Sequence, residues 1–506
     1  MTGPIRKLLD FLKGQSISEV AQRAVPARLP AQARVPAGSS AASAPEASRS
    51  RRIDSHDIIE IPEYRLVEEL IRSDAAKIVL VSGRAGTGKS VAIRWLAGRF
   101  EGAHAIVAPT GLAALQVGGQ TIHSFFRFPP RAIQPADIKP PGSRSREVFA
   151  HLKVLIIDEI SMVRADLMDG IALYLERFGP KPGTPFGGVK LVLVGDLLQL
   201  PPVMESPEER EWIKHAFGSE YFFSASCFRR HSWVPVELTR VFRQTESDFV
   251  DALSRIRSNT NVRPAIDWIN AGCVNANKPA GVLEICLVPT RARAEAINRD
   301  ELGRLGLPER RYSARIEGRM PMDRKMPSPN DLDLRVGAQV MFTKNDKERR
   351  WVNGTMGRVV SLGQSSVDVQ IDGTAGAVCV IEDRWDQYEY SWDPGQRKLV
   401  AKVVGSFIQL PLAYAWATTI HKAQGQTFDY ALVDMANGAF ASGQTYVALS
   451  RCRTRAGLRL RRALREDDVR IDPNLVDAYR TIQAAAGALD AERMTRELRA
   501  ARGAVP

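Results

Sequence analysis

Residues 83–90 read Gly83-Arg84-Ala85-Gly86-Thr87-Gly88-Lys89-Ser90. An apolar run, residues 77–81, comes before them and a mixed run, residues 91–96, comes after them, an order that predicts a strand, a glycine-rich loop and a helix. The glycines let successive backbone N–H groups curl around phosphates beside the positive end of the helix. In such a loop the lysine reaches the β- and γ-phosphates and the serine hydroxyl holds Mg²⁺. The sequence therefore predicts a site for ATP and Mg²⁺.

Three further apolar runs predict strands at residues 104–108, 153–157 and 190–194. After a basic first residue each run is short and continuously apolar, which is typical of parallel strands that helices cover on both faces. Ligands of an open α/β sheet lie beyond the carboxyl ends of its strands. The predicted fold class is therefore α/β, and the chemistry is expected directly after these runs.

Polar residues with suitable chemistry follow two of the runs. Asp158 and Glu159 come directly after residues 153–157, where buried acids are costly unless a cation or a reaction needs them. We expect Asp158 to hold Mg²⁺ through its water shell and Glu159 to polarise the attacking water. An acidic helix N-terminus is the alternative interpretation. Gln199 follows residues 190–194, and its amide can hydrogen-bond a γ-phosphate.

Composition limits the class of protein. The chain has 506 residues, 44% of them hydrophobic, and a formal net charge of +13 with a pI near 9.6. This charge favours a polyanionic partner such as nucleic acid, although basic residues can also be ordinary solvated surface. The five cysteines are far apart and have no ligand spacing, which fits a reducing compartment. The uncharged stretch 102–126 contains glycines, glutamines and histidines, so no membrane partner is expected.

Residues 1–52 differ in composition from the rest of the chain. They contain proline, alanine and serine runs and nine Lys/Arg residues against three acids, which predicts a disordered basic tail. The alternative is an organellar transit peptide, since residues 5–12 can form a short amphipathic basic segment. The expected localisation is cytoplasmic and nucleoid-associated, as in bacteria, or mitochondrial if this segment is a transit peptide.

Nine motifs then point to one family. In chain order they are SGRAGTGKS, APTGLAAL, GGQTIHSFF, LIIDEISMV, GDLLQLPPV, ELTRVFRQ, LVPTRARAEAIN, TIHKAQGQTF and YVALSRC. This set resembles the motifs of superfamily 1 helicases and is most similar to the PIF (petite integration frequency) branch of the 5′-to-3′ subgroup, superfamily 1B. The resemblance runs from about residue 58 to residue 460.

The resemblance implies a domain organisation of two RecA-like P-loop motor domains, with parallel sheets flanked by helices. The expected boundaries are 53–243 for the first motor domain, with a small wedge insert at about 128–146; 244–333 and 406–472 for the second; 334–405 for an SH3-like β-barrel insert; and 473–506 for a C-terminal helical tail. Short alternating segments with glycine turns independently indicate a small antiparallel barrel after residue 334. Trp385, Tyr388, Tyr390 and Trp392 are predicted to fill its core, with base stacking as the alternative. No chemistry is predicted for the tail.

The resemblance also implies roles for individual residues. Arg243 would contact the γ-phosphate and Arg451 would be the arginine finger, because cations there stabilise charge that develops in phosphoryl transfer. The implied nucleic-acid contacts are Pro109, Thr110, Gly111, His123, Phe125, Thr419, His421 and Lys422. Hydroxyls and backbone N–H groups can bond phosphates, and aromatic rings can stack on bases. Packing in the core is the alternative for His123 and Phe125.

The function that the resemblance implies is an ATP-dependent DNA helicase that moves 5′ to 3′ on single-stranded DNA and unwinds duplexes in repair, recombination, replication or telomere and G-quadruplex maintenance. Its expected partners are single-stranded DNA and single-/double-strand junctions, and it would act as a monomer or a DNA-induced dimer. The alternatives are a superfamily 1 RNA helicase and an ATP-gated clamp or loader that does not unwind DNA. The glutamine with which the family reads adenine is missing between residues 51 and 82, which leaves base selectivity open.

Overall fold

The computed structural model of the protein describes residues 60–73, 75–204, 206–244, 246–274, 276–320, 326–436 and 438–503. The predicted basic tail, residues 1–52, lies outside the described residues, as do the first residues of the predicted first motor domain.

The helices and strands of this part of the chain are numbered in chain order. The α-helices are α1 (Pro62–Arg72), α2 (Lys89–Arg99), α3 (Gly111–Val117), α4 (Ile122–Phe126), α5 (Ser143–His151), α6 (Ala165–Phe178), α7 (Pro207–Phe217), α8 (Ser226–Arg230), α9 (Ser247–Ser258), α10 (Val262–Cys273), α11 (Arg291–Arg304), α12 (Gln444–Leu449), α13 (Pro473–Gly487) and α14 (Ala491–Gly503). The strands are β1 (Ile78–Gly83), β2 (His104–Ala108), β3 (Gln120–Thr121), β4 (Val154–Ile157), β5 (Lys190–Gly195), β6 (Trp233–Leu238), β7 (Ile285–Val288), β8 (Arg310–Ser313), β9 (Arg315–Gly318), β10 (Asp331–Leu334), β11 (Gln339–Phe342), β12 (Met356–Leu362), β13 (Ser366–Ile371), β14 (Ala377–Ile381), β15 (Asp383–Asp393), β16 (Lys398–Gln409), β17 (Leu412–Tyr414), β18 (Ala417–Thr419), β19 (Ala431–Val433) and β20 (Leu458–Leu460). Among these described helices, none is both long enough and apolar enough to span a bilayer.

The first motor domain is built on a parallel six-stranded sheet with strand order β3-β2-β4-β5-β1-β6. Successive side chains of a strand point to opposite faces. In β1, accordingly, Ile78 and Leu80 belong to the hydrophobic cluster on one face and Val79 and Val81 to the cluster on the other. Because both faces are covered, the strands read as continuous apolar runs, and the predicted α/β fold is confirmed.

The second motor domain is built on a smaller parallel sheet with strand order β18-β7-β19-β20. Helices α9, α10 and α12 contribute buried side chains to its core, which also contains residues of β7, β19 and β20. The two parallel sheets with flanking helices correspond to the predicted pair of RecA-like domains.

The β-rich region between β7 and β18 is larger than the sequence predicted. It contains an antiparallel sheet of order β14-β13-β12-β11-β17, a three-stranded sheet of order β15-β16-β9 and the pair β10-β8. Strands therefore extend from Arg310 to Tyr414, beyond the predicted 334–405, because β8 and β9 on one side and β17 on the other pair with strands of the insert.

The long hairpin β15–β16 leaves the barrel and packs on the first motor domain. The Tyr390 hydroxyl accepts a hydrogen bond from the backbone N–H of Ile106 at 2.9 Å, and the Trp392 ring stacks on His151 at 3.5 Å. Trp385 is buried beside Phe407, in a small cluster separate from the barrel core. The prediction that these aromatics fill the barrel core is therefore wrong: the hairpin carries Tyr390 and Trp392 across to β2 and α5.

The predicted wedge, residues 128–146, is irregular as far as α5, which begins at Ser143, apart from a single 3-10 turn at Pro135–Asp137. It is nevertheless anchored, since Phe128, Ile133 and Ile138 are buried in the core of the first motor domain. The Asp166 carboxylate fixes the segment by accepting a hydrogen bond from the Ile133 N–H at 2.7 Å.

The two C-terminal helices return to the first motor domain. Leu475, Tyr479 and Ile482 of α13 are buried in the core of that domain, and α13 lies against β6. Helix α14 lies against α1, where Arg499 and Arg502 both bond the Glu69 carboxylate, at 2.8 and 3.0 Å. The predicted tail is thus a structural part of the first motor domain.

Candidate active site

The glycine loop joins the end of β1 to the start of α2. Gly86 has a left-handed φ of 79°, and a Cβ atom there would lie 2.4 Å from the Cβ of Arg243, so only glycine fits. The Lys89 Nζ donates hydrogen bonds to the carbonyls of Gly83 and Arg84, each at 2.8 Å. The lysine therefore points back over the loop, where it can meet an anion held by the loop's N–H groups.

Two acids follow β4 at the same edge of the sheet. Glu159 adopts a left-handed backbone with φ 47°, which costs a non-glycine residue about 1–2 kcal/mol. The turn leads directly into a short 3-10 helix, Ile160–Met162. The Asp158 Oδ1 accepts the N–H of Glu159 at 2.8 Å. The strained turn fixes two neighbouring carboxylates at the carboxyl end of the strand.

Burial controls the charges of this group. It raises the pKa of Asp158 to about 7, and the neighbouring Glu159 adds to the rise. It also raises the pKa of Glu159, against the opposing effect of Lys89, and lowers the pKa of Lys89, against Asp196 and Glu159. A divalent cation would relieve the repulsion between the carboxylates. The Asp158 carboxylate and the exposed Ser90 hydroxyl are oxygen donors of the kind that Mg²⁺ prefers, so these residues fit the predicted ion.

One amide of the second motor domain joins two predicted residues of the first. Gln424 Nε2 donates to Glu159 Oε2 at 2.9 Å and to Gln199 Oε1 at 3.2 Å. Gln199 is 4% exposed, and its own Nε2 donates to Asp196 Oδ2 at 2.8 Å. The candidate water-polarising acid and the candidate phosphate sensor are therefore held in one cluster that spans the cleft between the domains.

A buried ion pair continues this cluster. Arg257, on α9 of the second motor domain, bonds the Asp196 carboxylate through Nη2 at 2.6 Å and through Nε at 3.0 Å. Asp196 is 0% and Arg257 2% exposed. Arg257 Nη1 donates to the Tyr479 hydroxyl at 2.6 Å. Asp196 thus connects the end of β5 to the second motor domain and to α13.

The second motor domain also contacts the glycine loop directly. The Tyr446 hydroxyl accepts a hydrogen bond from the Ala85 N–H at 3.1 Å. Gly443, just before α12, has φ 71°, and a Cβ there would lie 2.5 Å from the Leu198 carbonyl oxygen. Glycine is required at this position because the two backbones approach so closely.

Arg243 follows β6 and lies beside the loop. Its Nη2 donates to the Gly425 carbonyl at 3.2 Å, while its Nη1 is buried and has no hydrogen-bond partner. Burial, helped by the nearby Arg451, lowers its pKa to about 9. An unpaired guanidinium nitrogen next to a phosphate-binding type of loop is well suited to donate a hydrogen bond to an anion.

Arg451 is placed differently from Arg243. It is 1% exposed, and burial lowers its pKa. Its Nε donates to the Val447 carbonyl at 2.8 Å, its Nη2 to the Ser450 hydroxyl at 2.8 Å and its Nη1 to the Gln426 carbonyl at 3.2 Å. All three contacts are within the second motor domain, so Arg451 must exchange some of them before it can act as a finger.

The predicted nucleic-acid contacts fall into two groups. Pro109, Thr110 and His123 line one groove of about 170 Å³ on the first motor domain, together with Met162 and Val203. Thr110 also caps α3, which begins at Gly111, because its hydroxyl accepts the Ala113 N–H at 3.2 Å. On the second motor domain, Lys422 is exposed and the ring of His421 lies 6.0 Å from the exposed ring of Phe440.

Two of the predicted contacts face the interior. Phe125 is 7% exposed and packs edge-on against Phe126, Phe149 and Tyr390, so it offers no ring face to a base, and the prediction for it is corrected to core packing. Thr419 is buried, and its hydroxyl accepts the Lys422 N–H at 3.2 Å. Thr419 therefore shapes the loop that presents Lys422.

Sequence reasoning missed several residues of the site. They are Asp196, Phe242, Arg257, Gln424, Tyr446 and Tyr479. Asp196, Phe242, Gln424 and Tyr446 lie inside quoted motifs, which was a signal that could have been used. Phe242 immediately precedes Arg243, and its ring is 47% exposed near Gly88. No local pattern marks Arg257 or Tyr479.

Comparisons with a family model, with related proteins and with solved structures all point to the same family. Residues 62–273 match the model of the PIF1-like helicase family. The chain is 32% identical over 423 residues to the ATP-dependent DNA helicase PIF1 of Danio rerio, matching 81% of this chain but only 61% of the relative. It is 30% identical to the ATP-dependent DNA helicase Pif1 of Bdellovibrio bacteriovorus, with 85% of this chain and 93% of that protein covered. The crystal structure of Bacteroides sp. Pif1 in complex with ADP-AlF4 superimposes with a TM-score of 0.76 at 34% identity, covering 85% of this chain and 98% of that one.

Proposed function

Because the chain belongs to the PIF1-like helicase family, we propose that it is an ATP-dependent DNA helicase. The observation that carries the proposal is the bridge from Gln424 to Glu159 and Gln199, which joins both motor domains at the glycine loop's edge of the sheet. A cleft shared in this way couples the state of one nucleotide to the spacing of two domains.

The phosphates of ATP would lie in the loop of residues 83–88, with Lys89 turned from its carbonyl partners to the β- and γ-phosphates. Ser90 and Asp158 would hold Mg²⁺, whose charge would offset that of the phosphates. Glu159 would take the proton of the attacking water, and Gln199 would sense whether a γ-phosphate is present. Each of these residues lies at the carboxyl edge of the first sheet, in the loop that follows β1 or in the first turn of α2.

The exposed ring of Phe242 supports a proposal for the base. The ring lies beside Gly88, and the Arg240 guanidinium sits 4.9 Å from its centroid on one side. An aromatic face can stack on any base, since every base has a π-face. Stacking on Phe242 would therefore hold a nucleotide without the upstream glutamine, with weak selectivity between bases.

Single-stranded DNA would lie across the groove of Pro109, Thr110 and His123 and the loop that presents His421 and Lys422. Backbone phosphates suit Lys422, and bases suit the apolar walls of the groove. Opening and closing of the nucleotide cleft would move these two grips relative to each other in every cycle. The protein would thus move along the single strand and separate the duplex ahead of it.

We expect Arg243→Ala to weaken binding of a non-hydrolysable ATP analogue by about tenfold or more and to leave ADP binding nearly unchanged. The reason is that a hydrogen bond to a charged γ-phosphate is worth about 1.5–3 kcal/mol and ADP lacks that group. Competition against a fluorescent nucleotide measures both affinities. Arg240→Ala is the matched control, because the loss of its contact with Phe242 should affect the two nucleotides equally. Equal losses in Arg243→Ala would contradict a γ-phosphate contact.

Direction of movement tests the whole proposal. Two DNA substrates with the same duplex and tail length, one tailed at the 5′ end and one at the 3′ end, are mixed with protein, ATP and Mg²⁺. We expect preferential opening of the 5′-tailed substrate, as the family implies, with a rate that falls steeply with salt because phosphate contacts are lost. Preferential opening of the 3′-tailed substrate would refute the polarity. ATPase activity stimulated by RNA but not by DNA would favour an RNA helicase, and DNA binding without opening would favour a clamp.

A further inference from the structure

Helix α13, the first of the two C-terminal helices, is connected to the active site by an unbroken line of hydrogen bonds. Beyond the bond from Arg257 to its hydroxyl, Tyr479 donates to Glu237 Oε1 on β6 at 3.1 Å. Gln483, one helical turn further along α13, donates to the same Oε1 at 3.2 Å. The line thus runs from Glu159 through Gln424, Gln199, Asp196 and Arg257 to Tyr479.

Burial makes this line energetically important. Tyr479 is 3% exposed, and the Arg257 guanidinium lies 4.4 Å from the centroid of its ring as well as bonding its hydroxyl. Removing the partner of a buried charged group costs several times as much free energy as removing the partner of an exposed one. The positions of Asp196 and Arg257 are therefore coupled to the place of the Tyr479 hydroxyl.

We infer that Tyr479 is a positioning residue for ATP hydrolysis: it holds Arg257 against Asp196 and thereby sets the position of Gln199 at the γ-phosphate. The inference rests on the proposed function, since it assigns a further residue to the same ATPase site. It gives helix α13 a role in turnover as well as in packing.

The helix α13 also supplies a matched control. At the N-terminal end of α13, the Tyr221 hydroxyl donates to Asp472 Oδ2 at 3.0 Å, and Asp472 caps the first turn of the helix. Tyr221 is 2% exposed, so it is as buried as Tyr479. Tyr221→Phe therefore removes one buried hydroxyl that docks the same helix, but none of the bonds that lead to Asp196.

The experiment compares steady-state ATPase of full-length Tyr479→Phe and Tyr221→Phe, with and without single-stranded DNA. We expect Tyr479→Phe to lower kcat about tenfold and to leave KM for ATP unchanged, because a small displacement of Gln199 affects the transition state more than ground-state binding. Tyr221→Phe should keep the normal kcat even if its melting temperature falls by as much as that of Tyr479→Phe. Arg257→Lys keeps the charge but cannot bond the Asp196 carboxylate through two nitrogens, so it should lower kcat in the same way.

A double-mutant cycle distinguishes positioning from general destabilisation. If Tyr479 acts through Gln199, then Tyr479→Phe should have no further effect on kcat in a Gln199→Ala background. Additive effects, an equal loss of kcat in Tyr221→Phe, or a normal kcat in Tyr479→Phe would each overturn the inference. If DNA fails to stimulate the wild-type ATPase, the proposed helicase function fails, whereas the same comparisons of basal kcat still decide the role of Tyr479.

Discussion

The Lys89→Ala protein should hydrolyse ATP at least about 100-fold more slowly than the wild type and keep its fold. The Lys89 ammonium lies over the glycine loop, where it would make a charge-assisted contact with the β- and γ-phosphates, whereas the loop's other cation, Arg84, donates to the Ser254 hydroxyl. The fold should survive because burial lowers the pKa of Lys89, which means that the folded state gains little from holding this charge. The measurement is ATPase with saturating single-stranded DNA, alongside thermal unfolding.

Lys190→Ala is the control for that result. Lys190 begins β5, and its ammonium also donates to a backbone carbonyl, that of Ala76, at 2.8 Å. It lies at the opposite end of the strand from the chemistry, so its loss should affect stability and not turnover. Normal DNA-stimulated ATPase in a well-folded Lys89→Ala protein would refute the phosphate loop as the active site.

The Glu159→Gln protein should bind ATP and DNA normally and hydrolyse ATP about 100-fold or more slowly. The amide oxygen can still accept the hydrogen bond from Gln424 Nε2, so the contact between the domains is retained, but an amide cannot take a proton from water. Nucleotide binding by competition and single-turnover hydrolysis together separate the two steps. The substitution therefore isolates proton transfer from the closure of the cleft.

Glu147→Gln serves as the matched control, because the Glu147 side chain lies 59% exposed on α5 of the same domain. It should change neither step. A Glu159→Gln protein that loses ATP binding yet turns over what it binds at the normal rate would show that Glu159 is structural.

The local parts of this structure could be predicted from sequence because each has its own pattern. The run at residues 154–157 is apolar throughout since β4 is covered on both faces, and the acids after it mark the strand's carboxyl end. The glycines of residues 83–88 are needed by the backbone of the loop itself. In both cases the physical cause lies within a few residues of the pattern.

Contacts between distant segments were not predictable in the same way. A tyrosine or tryptophan on β15 fits either the barrel core or the first motor domain, and only the course of the hairpin decides between them. Arg257 reads as an ordinary basic residue near the end of an amphipathic helix, and its burial against Asp196 depends on how the two motor domains meet. The same holds for Phe125, whose ring is enclosed partly by Tyr390 from the other half of the chain.

The return of α13 to the first motor domain has a consequence for synthesis on the ribosome. Strands β1 to β6 emerge early, but the hydrophobic core beside them also contains Leu475, Tyr479 and Ile482, which are translated after the whole second motor domain. Domains usually fold one after another from the N-terminus as the chain is made. In this protein, the apolar surface of the nascent first domain beside β6 stays uncovered until α13 has been translated. The order of translation thus makes the first motor domain the last to be finished.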